Sequence, residues 1–102
     1  DGTITSVETE NILPADIKLF QNYPNPFNPK TIINYELRSP GFVTLKVYNI
    51  KGEEIAVPVN EKQNAGKYEI GFDGSDLPSG IYFYSLYAGT EIIDTKRMIL
   101  LK

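Results

Sequence analysis

The stretch Leu19-Phe20-Gln21-Asn22-Tyr23-Pro24-Asn25-Pro26-Phe27-Asn28-Pro29 determines how the rest of this chain is organised. Each proline fixes its own φ at about −65° and lacks a backbone donor, and it keeps the preceding residue out of the α region. We therefore expect this proline segment (residues 19–29) to be extended or turning. Its large apolar side chains favour packing against a core. We predict a structural clasp formed by Phe20, Tyr23, Pro24, Pro26, Phe27 and Pro29, in which Phe20, Tyr23 and Phe27 are buried.

A proline-rich peptide ligand is the alternative interpretation of this segment. The aromatic residues between the prolines favour packing within the chain, so we prefer the clasp. Residues 1–16, which precede it, are polar and acidic, and we expect an exposed linker there with a short strand around Ile4–Val7. Because the first residue is Asp1, we expect a piece of a longer protein, with a folded domain over residues 17–102.

Composition argues against several classes of function. The chain has 102 residues, a net charge of −3, and neither cysteine nor histidine. Disulfides and thiolate metal sites are therefore excluded, and the commonest general base is missing. Residues 17–102 hold nine acids and ten bases, which predicts no concentrated basic face for nucleic acid. There is no run of about 18 apolar residues, so no membrane-spanning segment is predicted.

Alternating apolar residues predict short β-strands over Thr31–Leu37, Phe42–Tyr48, Glu53–Val59, Lys67–Phe72, Ile81–Ala88 and Ile92–Leu101. The inward positions are expected to be Ile33, Tyr35, Leu37, Val43, Leu45, Val47, Tyr68, Ile70, Phe72, Tyr82, Tyr84 and Leu86. Residues 49–52 predict a hairpin connection, Pro58 indicates an edge strand, and residues 60–66 are expected to form a loop. The pattern predicts an all-β fold, an immunoglobulin-like antiparallel β-sandwich of about seven strands.

Two further features bear on this sandwich. The run from Asp76 to Tyr82 resembles a tyrosine corner, in which a tyrosine opens the penultimate strand. The last strand is apolar on both faces, because Met98, Ile99, Leu100 and Leu101 follow one another. Either it lies between two packed layers, or it offers one face to a partner. The sequence does not decide between the two.

Candidate catalytic and metal sites are weak. Without histidine or cysteine, a nucleophile and a base would have to come from Ser, Lys or carboxylates, so we predict that the domain is not an enzyme and has no cofactor. Asp73 and Asp76 lie in a Gly-Ser turn that is too short for a calcium loop and has no closing Glu. A plain turn is preferred. A carbohydrate platform would need exposed aromatics, for which Tyr48 and Phe83 are the candidates. The core-facing tyrosines are expected to be Tyr23, Tyr35, Tyr68, Tyr82 and Tyr84.

The ordered blocks of this sequence resemble a known family, the type A C-terminal sorting domain of the type IX (Por) secretion system. The resemblance rests on LFQNYPNPFNP and the strand after it, on VTLKVYNIKGEEI at residues 43–55, on LPSGIYFY at residues 77–84, and on KRMILLK at residues 96–102. It covers residues 17–102. Phe72 stands where the family usually has Trp, which keeps an aromatic core role. Ser85 stands where the family often has Arg, so a contact that this Arg makes in the family is not expected here.

The resemblance implies a secretion signal rather than an enzyme. A larger upstream passenger would reach the periplasm, and its C-terminal domain would be recognised there by the outer-membrane translocon. A sortase-like peptidase would then remove the domain, with a cut in residues 1–16, and the passenger would be secreted or attached to the cell surface of a Gram-negative bacterium. The translocon would recognise the last strand through Lys96, Arg97, Met98, Leu100 and Lys102. The sequence does not identify the passenger.

The runner-up is a non-catalytic accessory module. The same sandwich resembles the Ig-like domain of flagellar hook-capping proteins and accessory domains of secreted hydrolases. In that case it would be a structural spacer or a weak carbohydrate binder in a secreted multidomain enzyme.

Overall fold

A computed structural model describes residues 16–102 of the chain. The expected acidic linker, apart from Asp16, and the short strand expected around Ile4–Val7 lie outside the described residues. The described part contains seven strands: β1 (Ile17–Leu19), β2 (Lys30–Leu37), β3 (Gly41–Tyr48), β4 (Glu54–Gln63), β5 (Gly66–Asp73), β6 (Gly80–Ala88) and β7 (Glu91–Leu100).

The strands form two antiparallel sheets. The first has three strands in the order β1-β2-β5, and the second has four in the order β4-β3-β6-β7. Their facing sides enclose one hydrophobic core. The predicted all-β, immunoglobulin-like sandwich is confirmed.

The core follows the alternation of the sequence, because each strand buries only one face. In β2 and β3 every predicted inward residue is buried. In β6 the predicted inward residues Tyr82, Tyr84 and Leu86 are buried, whereas Tyr68 and Ile70 of β5 pack against the edge of the core and are half-buried. The predicted tyrosine corner is also confirmed, since the Tyr82 hydroxyl donates to the Pro78 carbonyl at 2.7 Å.

The connections around β4 are partly as predicted. Gly52 adopts a φ of 85° in the turn between β3 and β4, a conformation that favours glycine. Pro58 does lie on an edge strand, because β4 has β3 on one side only. The loop predicted over residues 60–66 is wrong, since β4 continues to Gln63 and pairs with the start of β3. This polar stretch is held in the sheet because the Gln63 side chain accepts a bond from the buried Tyr35 hydroxyl at 2.5 Å.

Two small residues on the outer faces are buried although their positions point away from the core. Thr44 donates to Asn60 Oδ1 at 3.1 Å, and the hydroxyls of Ser85 and Thr95 lie 2.7 Å apart. Across the sheet, Thr44 lies between Asn60 and Tyr87, and Ser85 lies between Lys46 and Thr95. The last strand, β7, is an edge strand with one buried face, so the interpretation of β7 as a strand between two packed layers is wrong.

Alkaline pH is expected to destabilise the sandwich through its buried tyrosines. Burial raises the pKa of Tyr35 and of Tyr84 from 10.0 to about 12. The folded state therefore binds these protons more tightly than the unfolded state. The stability that the two tyrosines contribute is complete below the pKa of tyrosine in the unfolded chain. It is lost as the pH rises towards their pKa in the folded state. Urea unfolding followed from neutral pH to above the ordinary tyrosine pKa should show a falling free energy of unfolding.

Lysines also titrate in this range, so the tyrosines are isolated by substitution. A Tyr35→Phe variant should show a shallower fall than the wild-type protein over the same pH range. An equally steep fall in both proteins would contradict the assignment.

Candidate functional site at the last strand

The proline segment lies against the free edge of β7. The Phe27 N–H donates to the Ile99 carbonyl, and the Leu101 N–H donates to the Phe27 carbonyl, each at 2.9 Å. Phe27 thereby forms a parallel bridge with Leu100. The segment thus adds a short piece of backbone pairing to the outer side of the four-stranded sheet.

Side chains extend this pairing along β7. Gln21 Nε2 donates to the Arg97 carbonyl at 2.6 Å, and Asn25 Oδ1 accepts from the Ile99 N–H at 2.9 Å. Further up the strand, the Asp94 carboxylate accepts from the Thr95 N–H at 2.8 Å. Much of the outer edge of β7 is therefore occupied by groups of the same chain.

The other side of the proline segment is fixed by Tyr84 of β6. Its hydroxyl donates to the Phe20 carbonyl and accepts from the Asn22 N–H, both at 2.7 Å. The buried Asn22 side chain then donates to Thr31 Oγ1 of β2 at 2.9 Å. One segment consequently connects the two sheets at this end of the sandwich.

The predicted burial is found for Phe27 and is wrong for Phe20 and Tyr23. Phe27 is 1% exposed and packs edge-on against Phe72, with ring centroids 6.2 Å apart. Phe20 is 37% exposed, beneath the Lys18 ammonium, and Tyr23 is 78% exposed. The reason is that Asn22 takes the buried position between them, while Tyr23 pairs its backbone with Ile32 at 3.0 Å and leaves its ring in solvent.

The clasp prolines act through their backbone rather than through apolar contact. Pro24 and Pro26 are exposed, and Pro29 is only half-buried. The Pro24 carbonyl accepts from Thr31 Oγ1 at 2.8 Å, and the Pro29 carbonyl accepts from the Gly74 N–H at 2.7 Å. Proline restricts the path of the segment, and these bonds fix it.

The residues expected to contact a translocon divide into two groups. Met98 and Leu100 are fully buried, so a partner cannot contact their side chains while the domain is folded. Arg97 and Lys102 are exposed, and Lys96 is half-buried and paired with Asp94 at 3.6 Å.

The sequence interpretation missed Leu101. Its side chain is 54% exposed beside these cations although its residue type predicts burial. The alternation of inward and outward residues along β7 could have predicted this exposure, because Leu101 follows the buried Leu100 and so falls on the outer face.

The end of the chain is held at Lys102. Its N–H donates to Ser79 Oγ at 3.0 Å, and its ammonium donates to the Ser75 carbonyl. The two serines belong to the turns between β5 and β6, so the last residues are fixed against the body of the domain. Arg97, Leu101 and Lys102 form what we call the exposed C-terminal face.

The Asp73–Asp76 segment is a plain turn. Asp73 Oδ1 accepts from the Ser75 N–H at 2.9 Å and from the Ser75 hydroxyl at 2.5 Å. These bonds stabilise the carboxylate and lower the pKa of Asp73. Within residues 16–102 no group of three or more Asp and Glu side chains is arranged to hold a metal ion.

The two aromatic residues considered for a carbohydrate platform are half-buried rather than displayed. The Tyr48 hydroxyl lies 2.6 Å from that of Tyr87, and Phe83 is also half-buried. A depression of about 560 Å³ on the four-stranded sheet is lined by Tyr87 and Lys46 but by neither Tyr48 nor Phe83. The Lys46 ammonium covers the Tyr87 ring there, 5.3 Å from its centroid, so that ring face is not free for stacking.

The described part of the chain is an immunoglobulin-like β-sandwich whose last strand is fixed along its outer edge by a proline segment. The model of the family described as "Secretion system C-terminal sorting domain" matches residues 21–101. The chain belongs to this family, whose members are sorting signals of the type IX secretion system. Membership implies secretion machinery and a passenger as partners, and export to the outer membrane or cell surface. No helix in residues 16–102 has the length and apolarity needed to cross a membrane.

Solved structures with the same fold include PorZ, a bacterial surface component of the type IX secretion system. Dimeric latent PorU from Porphyromonas gingivalis matches with a TM-score of 0.69 and 18% identity, over 83% of this chain and 9% of that one. PorZ from the same organism matches with a TM-score of 0.53 and 19% identity, over 82% of this chain and 11% of the PorZ chain. An immunoglobulin-like protein from Pseudomonas aeruginosa matches with a TM-score of 0.53 and 12% identity, over 90% of this chain and 89% of that one.

At these low identities, the structural matches show a shared fold and nothing more. The chain spans about a tenth of the PorU and PorZ chains. A search of curated protein sequences found no match.

A Tyr84→Phe substitution is expected to lower the free energy of unfolding by about 1–3 kcal/mol, because it leaves the Asn22 N–H and the Phe20 carbonyl without their buried partner. Urea unfolding at neutral pH measures the change. The matched control is Tyr23→Phe, which removes a hydroxyl from an exposed ring and should alter stability by no more than about 0.5 kcal/mol. Equal effects of the two substitutions would show that the Tyr84 hydroxyl does not hold the segment.

Proposed function

We propose that residues 17–102 direct an upstream passenger through the outer-membrane translocon of the type IX secretion system, and that the translocon binds the exposed C-terminal face. The observation that supports this most strongly is the fixed position of that face. Arg97 and Lys102 are exposed cations, and Leu101, the neighbour of Lys102 in the chain, is 54% exposed. The bonds to Phe27, Gln21 and Ser79 hold the strand that carries them.

Binding would occur through side chains rather than through backbone pairing. Much of the outer edge of β7 is occupied by the proline segment and by Asp94, so little of it is free for an added strand. Met98 and Leu100 would act from the core, by fixing the strand from which Arg97 projects. Lys96 would contribute less, because Asp94 already neutralises part of its charge. The translocon surface is then expected to be acidic with an apolar pocket.

After export, a sortase-like peptidase would cut the chain within residues 1–16 and leave the passenger secreted or attached to the cell surface. The domain itself would take no part in that chemistry. Its sequence has no histidine or cysteine, and its best-placed carboxylate, Asp73, is bonded within its own turn. Passage through the periplasm of a Gram-negative bacterium belongs to the same proposal.

Reversing the two exposed charges should block export. A periplasmic reporter fused to residues 17–102 is expressed in a host with a functional type IX system, and secreted and periplasmic reporter are measured in each fraction. An Arg97→Glu, Lys102→Glu double variant should leave most of the reporter in the periplasm, since both side chains would repel an acidic partner surface.

The matched control reverses two charges on other strands, Lys62→Glu and Lys67→Glu, and should be secreted normally. Both variants need an unfolding midpoint close to that of the wild-type domain, which excludes a folding defect. Normal secretion of the Arg97 and Lys102 variant would show that this face is not the signal. Periplasmic retention of the wild-type fusion would overturn the sorting function itself.

A further inference from the structure

The four edge strands of the sandwich are not protected equally against pairing with other chains. Free edges of sheets are templates for added strands, and proteins usually shorten, interrupt or cover them. Strand β1 has three residues. Strand β4 contains Pro58 and register shifts opposite Val47. Much of β7 is covered by the proline segment.

Strand β5 differs from the other three edges. Its eight residues pair with β2 in continuous register, and it contains no proline. No backbone hydrogen bond reaches its outer side from anywhere in residues 16–102. It is the long, regular edge that the described chain leaves open.

The register shows which backbone groups of β5 point outward. The Asn34 carbonyl of β2 accepts from the Phe20 N–H, and Ile32 of β2 exchanges two backbone bonds with Tyr23. The backbone groups of Asn34 and Ile32 therefore point away from β5. The alternate residues of β2, and their partners Ile70 and Phe72, then make the bonds between β2 and β5. Lys67, Glu69, Gly71 and Asp73 consequently direct their N–H and carbonyl groups outward.

A mainly apolar groove of about 660 Å³ adjoins this edge. Its walls include the exposed Tyr23 ring and Ile32, which is 43% exposed. Tyr23 is held in place, because its N–H and carbonyl both bond to Ile32 at 3.0 Å. Gly71 forms the side of the groove nearest the open edge, and a Cβ added there would meet no atom within 4 Å. A side chain arriving from the edge can therefore pass over Gly71 and contact Ile32.

We propose that β5 and this groove form a strand-addition site for an extended segment of another protein. The charges on the outer face of β5 define the chemistry of that segment. An antiparallel strand would place an aliphatic residue opposite Gly71, a basic residue opposite Glu69 and an acidic residue opposite Lys67, since opposite charges on facing strands attract. Backbone bonds give affinity in this mode, and alternate side chains give specificity. The site lies on the three-stranded sheet, separate from the exposed C-terminal face.

The test uses the full chain and two synthetic peptides of identical composition. The matched peptide is Thr-Thr-Leu-Thr-Lys-Thr-Glu-Thr, and the control peptide, Thr-Thr-Leu-Thr-Glu-Thr-Lys-Thr, exchanges the two charges. Titration followed by amide NMR should shift the signals of Glu69, Gly71 and Asp73. The matched peptide should bind about tenfold more tightly than the control, because two attractive pairs replace two repulsive ones.

A Gly71→Val variant should lose binding of the matched peptide, because the new side chain obstructs the path to Ile32 while meeting nothing in the folded domain. The control variant is Thr90→Val, in the turn between β6 and β7 of the other sheet, which should bind as the wild type does.

Three results would each overturn the proposal. The first is equal binding of both peptides, or of neither. The second is unchanged binding by Gly71→Val. The third is protection of the Glu69 and Gly71 amides from hydrogen exchange in the free chain, which would mean that the chain itself already fills the edge.

Discussion

The arrangement of this domain depends on one buried hydroxyl group. The Tyr84 oxygen bonds the carbonyl of Phe20 and the N–H of Asn22, two backbone groups on either side of Gln21. The bond to Asn22 is buried and the bond to Phe20 is partly buried, so leaving these groups unpaired would be costly. Their position fixes the start of the proline segment, and that in turn places Phe27 within reach of Ile99 and Leu101. The tyrosine thus fixes the proline segment where it meets the outer edge of the last strand, whose own position is set by its pairing with β6.

Most of the fold could be predicted from the sequence because burial of one strand face imposes a period of two. Ile33, Tyr35 and Leu37 illustrate this, since each alternates with a residue on the outer face and all three are buried. The tyrosine corner was also predictable, because its hydroxyl bonds a carbonyl only four residues earlier. The family resemblance depended on the same local blocks in the same order, and the family match over residues 21–101 confirms it.

What the sequence could not supply are the features decided by distant partners. Nothing local shows that Asn22 will be buried and Tyr23 exposed, because the choice depends on Tyr84, 62 positions later. Likewise Gln63 looks like a loop residue until the Tyr35 hydroxyl is placed beside it. The candidate site differs, because its error was avoidable. Residue type alone grouped the buried Met98 with the exposed Arg97 and overlooked Leu101, whereas the alternation of β7 separates the exposed residues from the buried ones.

The strand directions give the sandwich two chemically distinct ends. Asp16 bonds Arg38 and Ser39 at the end where β2 finishes, whereas Lys102 bonds Ser75 and Ser79 at the end where β2 begins. The eight residues of β2 separate these ends by about 27 Å. Under the proposed sorting function, a translocon that binds the last residues would therefore contact one end of the sandwich, whereas Asp16 lies at the other end. A peptidase that approaches the chain at Asp16 would then not compete with the translocon for space.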